Sequence, residues 1–203
     1  MVLFILWTVA VCFVDIGAVG PENSAVGFSV WNTLFHNFTG VNMWLYTVID
    51  WLSIIPLLIV AGFALLGLLQ LIKRKKLSDV DNDILILGIF YIMVFSVFIF
   101  FEIFPVNYRP VLIEGILEAS YPSSTTMLVL CVMPTAYIQF NKRIGSIRLR
   151  KYLSLCIKIF TLFMVICRIL SGVHWITDII GACLASCGLV NMYCFLTYEK
   201  TDL

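Results

Sequence analysis

The sequence predicts an all-α, polytopic membrane protein whose six transmembrane helices form one helical bundle. The mean hydropathy is +1.04, and 62% of the 203 residues are hydrophobic while only 12% are charged. A water-soluble domain of this length needs many more polar groups to cover its surface. The chain also contains six apolar stretches, and about 20 apolar residues cross the hydrocarbon core of a bilayer as a helix. Residues 1–203 are therefore expected to form a single transmembrane domain.

The six stretches are expected to be helical because lipid offers no partner for unpaired backbone groups. In chain order, the predicted helices are 1–19, 48–72, 84–105, 125–140, 152–172 and 175–197. The fourth is short, and only a tight turn separates the last two. The first is interpreted as a retained span, because it lacks a basic leader and Asp15 interrupts it. Asp15 is expected to lie at the interface or to hydrogen-bond a neighbouring helix.

The segment 20–47 is rich in glycine, asparagine, serine and aromatic residues. It is expected to form a short helix lying on the outer leaflet, as amphipathic aromatic segments do. His36 lies in this segment without an acidic residue or a second histidine nearby, so it is interpreted as an interfacial residue.

The basic residues orient the bundle. Nine of the thirteen lie after the second and the fourth spans: Lys73, Arg74, Lys75, Lys76, Lys142, Arg143, Arg148, Arg150 and Lys151. Cytoplasmic loops carry an excess of lysine and arginine, so both loops and both termini are predicted to be cytoplasmic. Lys200, after the last span, agrees. The loops 20–47, 106–124 and 172–174 then face outward, and Arg109 and Arg168 are the basic residues at the outer ends.

The segment around residue 174 contains groups suited to nucleophilic chemistry. His174 and Asp178 are four residues apart at the predicted start of the sixth helix, so both are expected on one face. The aspartate can accept a hydrogen bond from one imidazole nitrogen, which sets the tautomer and makes the other nitrogen more basic. Ser171-Gly172 ends the preceding helix, and the chain reversal brings Arg168 beside His174.

A second group of residues is suited to holding a phosphate. Arg109 and Arg168 carry planar guanidinium groups that match the non-bridging oxygens of a phosphoryl group. Pro122 precedes residues 123–125, whose backbone N–H groups are expected to be free at a helix N-terminus and to form an anion site. Two arginines, an anion site and an oriented histidine on one side of the membrane indicate phosphoryl transfer.

Three ordered segments resemble the signature of the type-2 phosphatidic acid phosphatase and vanadium haloperoxidase superfamily, K-x6-R-P, P-S-G-H and S-R-x5-H-x3-D. The matching segments here are Arg109-Pro110, Pro122-Ser123-Ser124-Thr125, and Cys167-Arg168 followed by His174 and Asp178. The motifs cover about residues 100–180, and the six-helix plan extends the resemblance to the whole chain. The hydrophobic composition points to the membrane lipid-phosphatase branch, because the haloperoxidases are soluble.

The resemblance implies a plasma-membrane phosphatase whose active site lies at the outer face. The histidine matching His174 would attack phosphorus to form a phosphohistidine, oriented by the counterpart of Asp178. The implied phosphate-binding groups are Arg109, Arg168, Ser123 and the backbone of Ser124. The lipid phosphatases of the family need no metal or other cofactor. The implied partners are a lipid phosphate or pyrophosphate substrate and membrane lipids, with no nucleic acid.

Three departures from the family pattern matter for the chemistry. Glu102 stands where the first motif has lysine, and Cys167 replaces a serine. Thr125 stands where the family has the catalytic histidine that protonates the leaving oxygen, and threonine cannot act as an acid near neutral pH. Glu114 and Glu118, in the preceding loop, are either substitute acids, or loop charges or partners of Arg109, and the second interpretation is favoured.

The predicted function is a lipid phosphatase with reduced activity that prefers a lipid pyrophosphate, with a polyprenyl pyrophosphate favoured. The preference follows because a departing phosphate is less basic than an alkoxide and needs a proton less. The alternative is a catalytically inactive relative that binds lipid phosphate headgroups. A channel or transporter is a weaker hypothesis, because Lys158 is the one clear charge deep in a span and broken paired helices are lacking.

Overall fold

The computed structural model describes residues 1–198, which form α-helices and the segments that connect them. The helices are α1 (Val2–Phe13), α2 (Ser29–Thr39), α3 (Met43–Leu52), α4 (Ile54–Arg74), α5 (Asn82–Ile103), α6 (Ser124–Arg143), α7 (Ile147–Leu170) and α8 (Ile176–Tyr198). The prediction of an all-α protein is confirmed, since the β-type pairing in this range consists of isolated bridges.

Four candidate spans are long and apolar enough to cross a membrane: Met43–Arg74, Asn82–Ile103, Ile147–Ser171 and Ile176–Thr197. The first of them combines α3 and α4. Helix α1 is apolar but has only 12 residues, a length of about 18 Å. Helix α6 has 20 residues and carries many buried polar side chains. The described residues thus support a membrane protein, while the count of six transmembrane helices stays a prediction.

The predicted helix 48–72 is wrong in one respect, because the structure divides it into α3 and α4. Pro56 lies in the first turn of α4 and has no N–H to donate to the carbonyl of Leu52, so it favours a new helix start. Between the two helices, the Ser53 hydroxyl donates to the carbonyl of Asp50 at 2.5 Å. Helix α3 also begins at Met43, five residues before the predicted start.

Helix α1 ends at Phe13, short of the predicted residue 19. Beyond it, the carboxylate of Asp15 accepts hydrogen bonds from the hydroxyl of Ser29 (3.1 Å) and the amide of Val30 (2.9 Å). Both donors lie at the start of α2, so Asp15 bonds to a neighbouring helix as expected. Helix α2 is the short helix predicted within 20–47, and its place on the outer leaflet stays a prediction.

Helix α6 occupies the centre of the bundle. Met127, Cys131, Val132 and Ala136 on one side of it belong to a hydrophobic cluster with residues of α5 and α8, among them Leu87 and Leu189. Val129 and Met133 on another side pack in a second cluster with residues of α3 and α7. Because both clusters include α6, its N-terminus at Ser124 lies among the ends of the surrounding helices. This position decides where the candidate site forms.

Basic residues lie at the end of the bundle away from Ser124. Arg143 at the end of α6 donates to both carboxylate oxygens of Asp83, each at 3.1 Å. Arg74 at the end of α4 pairs with Asp81 at 2.7 Å, and this hydrogen bond, with a second from Gln70, lowers the pKa of Asp81. Lys200 lies outside the described residues. The arrangement separates the basic end of the bundle from the end that carries Ser124.

Candidate active site

The candidate site lies where the N-termini of α6 and α8 meet the C-terminus of α7. The connection 104–123 covers this end, and α3 lies beside it. A cavity of about 230 Å³ opens here, lined among others by Arg109, Glu118, Ser120, Ser124 and His174. The structure therefore brings residues from all three sequence motifs to one end of the bundle.

His174 lies in the turn between α7 and α8, and not on α8 as its spacing from Asp178 suggests. Helix α8 begins at Ile176, two residues later. The turn depends on Gly172, whose φ is +65°, a backbone conformation that costs about 1–2 kcal/mol in residues with a Cβ atom. The turn also packs against the start of α3, where the Asn42 amide donates to the Ser171 carbonyl at 2.9 Å. As expected, the chain reversal places Arg168 beside His174.

Substituting Gly172 with alanine should destabilise the protein by at least about 2 kcal/mol. The new Cβ would lie 1.8 Å from the carbonyl oxygen of Gly40, a backbone atom that cannot move freely. The positive φ adds its own cost. A thermal melt in detergent tests this, with Gly145→Ala as the control because an added Cβ there meets nothing within 4 Å. Equal melting temperatures for the two variants would contradict the structural role of Gly172.

A serine hydroxyl links His174 to Asp178. The Oγ atom of Ser120 lies 3.0 Å from Nδ1 of His174 and donates a hydrogen bond to Oδ2 of Asp178. The direct distance from Nδ1 to Oδ2 is 3.7 Å. The expected direct hydrogen bond between the histidine and the aspartate is thus replaced by a path through Ser120, because His174 precedes the helix and its ring is displaced from the carboxylate.

The hydrogen-bond partners define the tautomer of His174. Nη2 of Arg168 lies 2.8 Å from Nε2 of the ring, and a guanidinium can only donate, so Nε2 is the acceptor and carries no proton. The proton is then on Nδ1, which donates to Oγ of Ser120, and the serine proton goes to Asp178. The unshared electron pair on Nε2 faces the arginine.

Burial and the positive charges of Arg168 and Arg109 hold the pKa of His174 well below the ordinary histidine value of 6.5. The ring is therefore neutral at neutral pH, which is the form that can act as a nucleophile. A phosphate bound to the two arginines would offset part of their charge.

Asp178 is held by three donors. Its carboxylate accepts from Ser120, from the side-chain amide of Asn107 at 3.3 Å, and from the backbone amide of Trp175 at 3.0 Å. The side chain is completely buried, and buried charges are stable only when such bonds satisfy them. Asp178 is thus a fixed acceptor for the hydrogen-bond path from His174.

Replacing Ser120 with alanine should lower kcat by about 10- to 10²-fold. The change leaves the Nδ1 proton of His174 and one oxygen of Asp178 without their shared partner, and a buried unsatisfied group costs about 1–3 kcal/mol. Phosphate release under saturating substrate tests the effect. Ser186→Ala, a change at a second buried serine on the far side of Asp178 along α8, is the control. If Ser120→Ala kept a kcat within twofold of that of the unaltered protein, the hydrogen-bond path from His174 through Ser120 to Asp178 would have no catalytic role.

Two buried guanidinium groups flank the cavity. Arg168 is 2% exposed, and its Nε and Nη1 atoms have no hydrogen-bond partner within residues 1–198. Nη1 of Arg109 is likewise without a partner in that range, while its Nε lies 3.0 Å from Oε2 of Glu118. The ring of Tyr46, on α3, lies 5.4 Å from Cζ of Arg168 and 5.8 Å from Cζ of Arg109. Buried donors without acceptors are costly, so the arginine pair fits an anionic ligand.

Ser123 and Ser124 differ in what they can offer a bound phosphate, although both backbone amides were expected to be free. The backbone amide of Ser123 donates to the carbonyl of Asp178 at 3.1 Å, so it is not free to bind an anion. The Ser123 hydroxyl lies 3.0 Å from that of Thr126. Ser124 begins α6, and the N–H groups of the first helical turn have no acceptor within the helix. Ser124 also lines the cavity that contains His174, so its amide and hydroxyl are the serine groups best placed for a phosphate.

Thr125 does not line the cavity that contains His174. It lines a neighbouring cavity of about 210 Å³, together with Ser124, Asp50 and Ser53. Ser124 belongs to both cavities, so they adjoin at the N-terminus of α6.

The three glutamates near the first and second motifs lie in different surroundings. Glu118 pairs with Arg109, as the favoured interpretation of the sequence held. Glu102, at the end of α5, lines the cavity that contains His174. Glu114 is exposed in the loop and lines neither cavity. Within residues 1–198, no three histidine, cysteine or acidic side chains group as metal ligands do.

Four residues of the site were missed by sequence reasoning. Ser120 and Asn107 lie in the loop before α6, and loop residues show no periodicity that would reveal their contacts. Tyr46 and Asp50 are four residues apart, a spacing that places both on one face of a helix. A polar pair inside an apolar stretch was a signal that could have found them.

Comparisons of the sequence with protein families and with curated proteins find no match. Among solved structures, the chain is similar to the crystal structure of the first transmembrane PAP2-type phosphatidylglycerolphosphate phosphatase from Bacillus subtilis. The TM-score is 0.67 with 16% sequence identity, and the match covers 98% of this chain and 94% of that one. At this identity the likeness shows the fold, which is therefore that of a PAP2-type membrane phosphatase.

Proposed function

We propose that this protein is a membrane lipid phosphatase of the PAP2 type that hydrolyses a lipid pyrophosphate or lipid phosphate. The observation that carries the proposal is the contact of Nε2 of His174 with Nη2 of Arg168 at 2.8 Å. It places an unprotonated nitrogen next to buried guanidinium donors that lack partners among the described residues. A nucleophile beside the anion cradle formed by Arg109, Arg168 and the start of α6 is the arrangement that phosphoryl transfer requires.

In the proposed reaction, the phosphoryl group binds between Arg109, Arg168 and the start of α6. Nη2 of Arg168 exchanges its hydrogen bond to Nε2 of His174 for one to a phosphate oxygen, which frees the electron pair of Nε2. That nitrogen attacks phosphorus, and the bond from phosphorus to the lipid oxygen breaks, with its electron pair leaving on the lipid oxygen. The Nδ1 proton stays on the ring, where Ser120 and Asp178 stabilise the positive charge of the phosphohistidine. Water then attacks phosphorus, which releases phosphate and returns the neutral histidine.

The proposal includes a multi-pass location in the plasma membrane with both termini in the cytoplasm. The site lies at the end of the bundle opposite Arg74 and Arg143, and the positive-inside rule assigns that basic end to the cytoplasm. The candidate site would then face outward, where it meets lipid headgroups of the outer leaflet.

A polyprenyl pyrophosphate is the favoured substrate. Thr125 cannot protonate a leaving oxygen near neutral pH, and loss of a general acid costs about 10²–10⁴-fold for a basic leaving group. A departing lipid phosphate is far less basic than an alkoxide. We therefore expect reduced turnover of monophosphates and faster turnover of pyrophosphates.

A second candidate is a protein that binds lipid phosphate headgroups without hydrolysing them. It is favoured by Glu118, which neutralises part of the charge of Arg109, and by the threonine at position 125.

Phosphate release by the purified protein from undecaprenyl pyrophosphate and from undecaprenyl monophosphate tests the two candidates. Faster release from the pyrophosphate supports the proposed function. Equal or faster release from the monophosphate would contradict the substrate preference. Binding of either lipid without release would support the second candidate.

A further inference from the structure

Two asparagine side chains, Asn32 on α2 and Asn107 in the connection 104–123, are completely buried near the start of α8. A buried amide is stable only when its donors and acceptors are paired. Both amides find a partner in Gly27. The Gly27 carbonyl accepts from Nδ2 of Asn32 at 2.8 Å, and the Gly27 N–H donates to Oδ1 of Asn107 at 3.2 Å. The segment that precedes α2 therefore holds both asparagines.

The two asparagines meet the first turn of α8 at consecutive residues. Nδ2 of Asn32 donates to Oγ1 of Thr177 at 2.9 Å, and Oδ1 of Asn32 accepts from the Thr177 N–H at 3.3 Å. Nδ2 of Asn107 donates to Oδ1 of Asp178 at 3.3 Å. The bonds form a closed ring from Gly27 through each asparagine to α8. Satisfied buried networks rigidify the elements that they join, so the ring fixes Asp178 relative to the start of α2.

Gly27 determines which way the amide of Asn107 is turned. A backbone N–H can only donate, so the Asn107 atom that faces Gly27 is the oxygen, and the NH₂ group lies on the side of Asp178. Gly27 is itself closely packed, because a Cβ atom there would lie 1.7 Å from the carbonyl oxygen of Val11 in the last turn of α1. The orientation of the amide is thus set by the contact of this segment with α1.

The backbone of Asn107 holds the other partner of His174. Its carbonyl oxygen accepts from the Ser120 N–H at 2.8 Å. Oγ of Ser120 in turn lies 3.0 Å from Nδ1 of His174 and donates to Asp178. One residue therefore contacts both members of the hydrogen-bond path from the histidine, Ser120 through its carbonyl group and Asp178 through its side chain.

We propose that Asn107 is a positioning residue of the phosphoryl-transfer site, a role that rests on the proposed function. Asn107 does not line the cavity that contains His174, so it acts through Asp178 and Ser120. Its uncharged NH₂ group keeps the carboxylate of Asp178 turned to the Ser120 hydroxyl. That carboxylate stabilises the positive charge of the phosphohistidine, so loss of the amide should lower kcat and leave KM nearly unchanged.

The test uses Asn107→Asp, which keeps the shape of the side chain. The Gly27 N–H still meets an oxygen, but the atom that faces Asp178 becomes an oxygen as well. Two carboxyl groups this close share one proton, because they cannot both ionise without strong repulsion. With that proton, the new side chain donates to Asp178 as the amide does, and without it the two groups repel each other.

We therefore expect activity of Asn107→Asp that falls as the pH rises. Its kcat on undecaprenyl pyrophosphate, divided by that of the unaltered protein at the same pH, should fall at least about tenfold between about pH 5.5 and about pH 8.5. KM should change by less than about threefold. The titratable groups around the pair are His174, Arg109 and Tyr121. Both proteins contain them, so the ratio isolates the new carboxyl group.

Two further variants complete the test. Asn107→Ala removes the donor at every pH, so it should lower kcat by about tenfold without a new pH dependence. Asn42→Asp is the matched control at the same end of the bundle. The side-chain oxygen of Asn42 accepts from the Leu45 N–H at 3.0 Å, a bond that an aspartate makes equally well, so its pH profile should match that of the unaltered protein.

A kcat ratio of Asn107→Asp that is the same at both pH values would overturn the inference, because a residue that only fills space has no such dependence. A kcat of Asn107→Ala within twofold of the unaltered value would overturn it too, and this variant decides if Asn107→Asp does not fold. If the unaltered protein released no phosphate, the proposed function would fail. The melting temperature of Asn107→Asp in detergent would still test the contact with Asp178, since it should fall with rising pH more than that of Asn42→Asp.

Discussion

Replacing His174 with alanine should abolish phosphate release, lowering kcat by at least about 10⁴-fold. In the structure the ring is buried, its Nε2 lies 2.8 Å from Arg168, and its Nδ1 lies 3.0 Å from Ser120. The other histidine of the chain, His36, contacts the ring of Trp175 and does not line the cavity beside Arg109. The variant should therefore lose the covalent step, whatever lipid is used.

The intermediate gives a second measurement that does not depend on turnover. Protein quenched during reaction with a radiolabelled lipid pyrophosphate should carry a phosphoryl group that is stable in alkali and labile in acid, as expected of phosphohistidine. His174→Ala should carry none. His36→Ala is the matched control, because the chain has two histidines and His36 contacts the ring of Trp175 rather than the cradle. Labelling that persists in His174→Ala would contradict the proposed mechanism.

Replacing Arg168 with lysine should lower kcat by about 10²–10³-fold and raise KM. The charge is kept, but lysine has one nitrogen where the guanidinium has three. Arg168 uses Nη2 on His174, while its Nε and Nη1 have no partner within residues 1–198. A lysine cannot offer several N–H donors in one fixed plane to the phosphate oxygens.

Arg74→Lys, at the basic end of the bundle, is the control for this change. Kinetics on undecaprenyl pyrophosphate give kcat and KM separately, and retention of kcat within threefold in Arg168→Lys would contradict the role of the guanidinium. Lipid binding by the same variant also bears on the second candidate function. A protein that only binds headgroups should lose affinity in Arg168→Lys, although it has no turnover to lose.

The helical content followed from composition, since apolar stretches of this length must be helical in lipid. The predicted end of the first helix and the unbroken helix 48–72 were wrong for local reasons. Beyond Phe13, Asp15 bonds to the start of α2, a contact between segments that hydropathy does not register. Pro56 interrupts the second stretch, although its neighbours are all apolar.

The motif residues were found in the sequence, and the structure brings His174, Arg168, Arg109 and Ser124 to one end of the bundle. Their catalytic and binding roles stay predictions. The i, i+4 spacing did place His174 near Asp178, with Nδ1 and Oδ2 3.7 Å apart. The expected direct hydrogen bond is replaced by the path through Ser120, because the helix begins only after the histidine. The amide of Ser123 was also expected to be free and is bonded to Asp178.

The sequence by itself determined that this is a helical membrane protein, and it supplied the prediction of which residues take part in phosphoryl transfer. These properties depend on residue type and on spacing along the chain. Only the tertiary structure decided that Ser120 connects His174 to Asp178, and that α3 brings Tyr46 beside the arginines. Such contacts join residues that are far apart in the chain, and packing around α6 determines them.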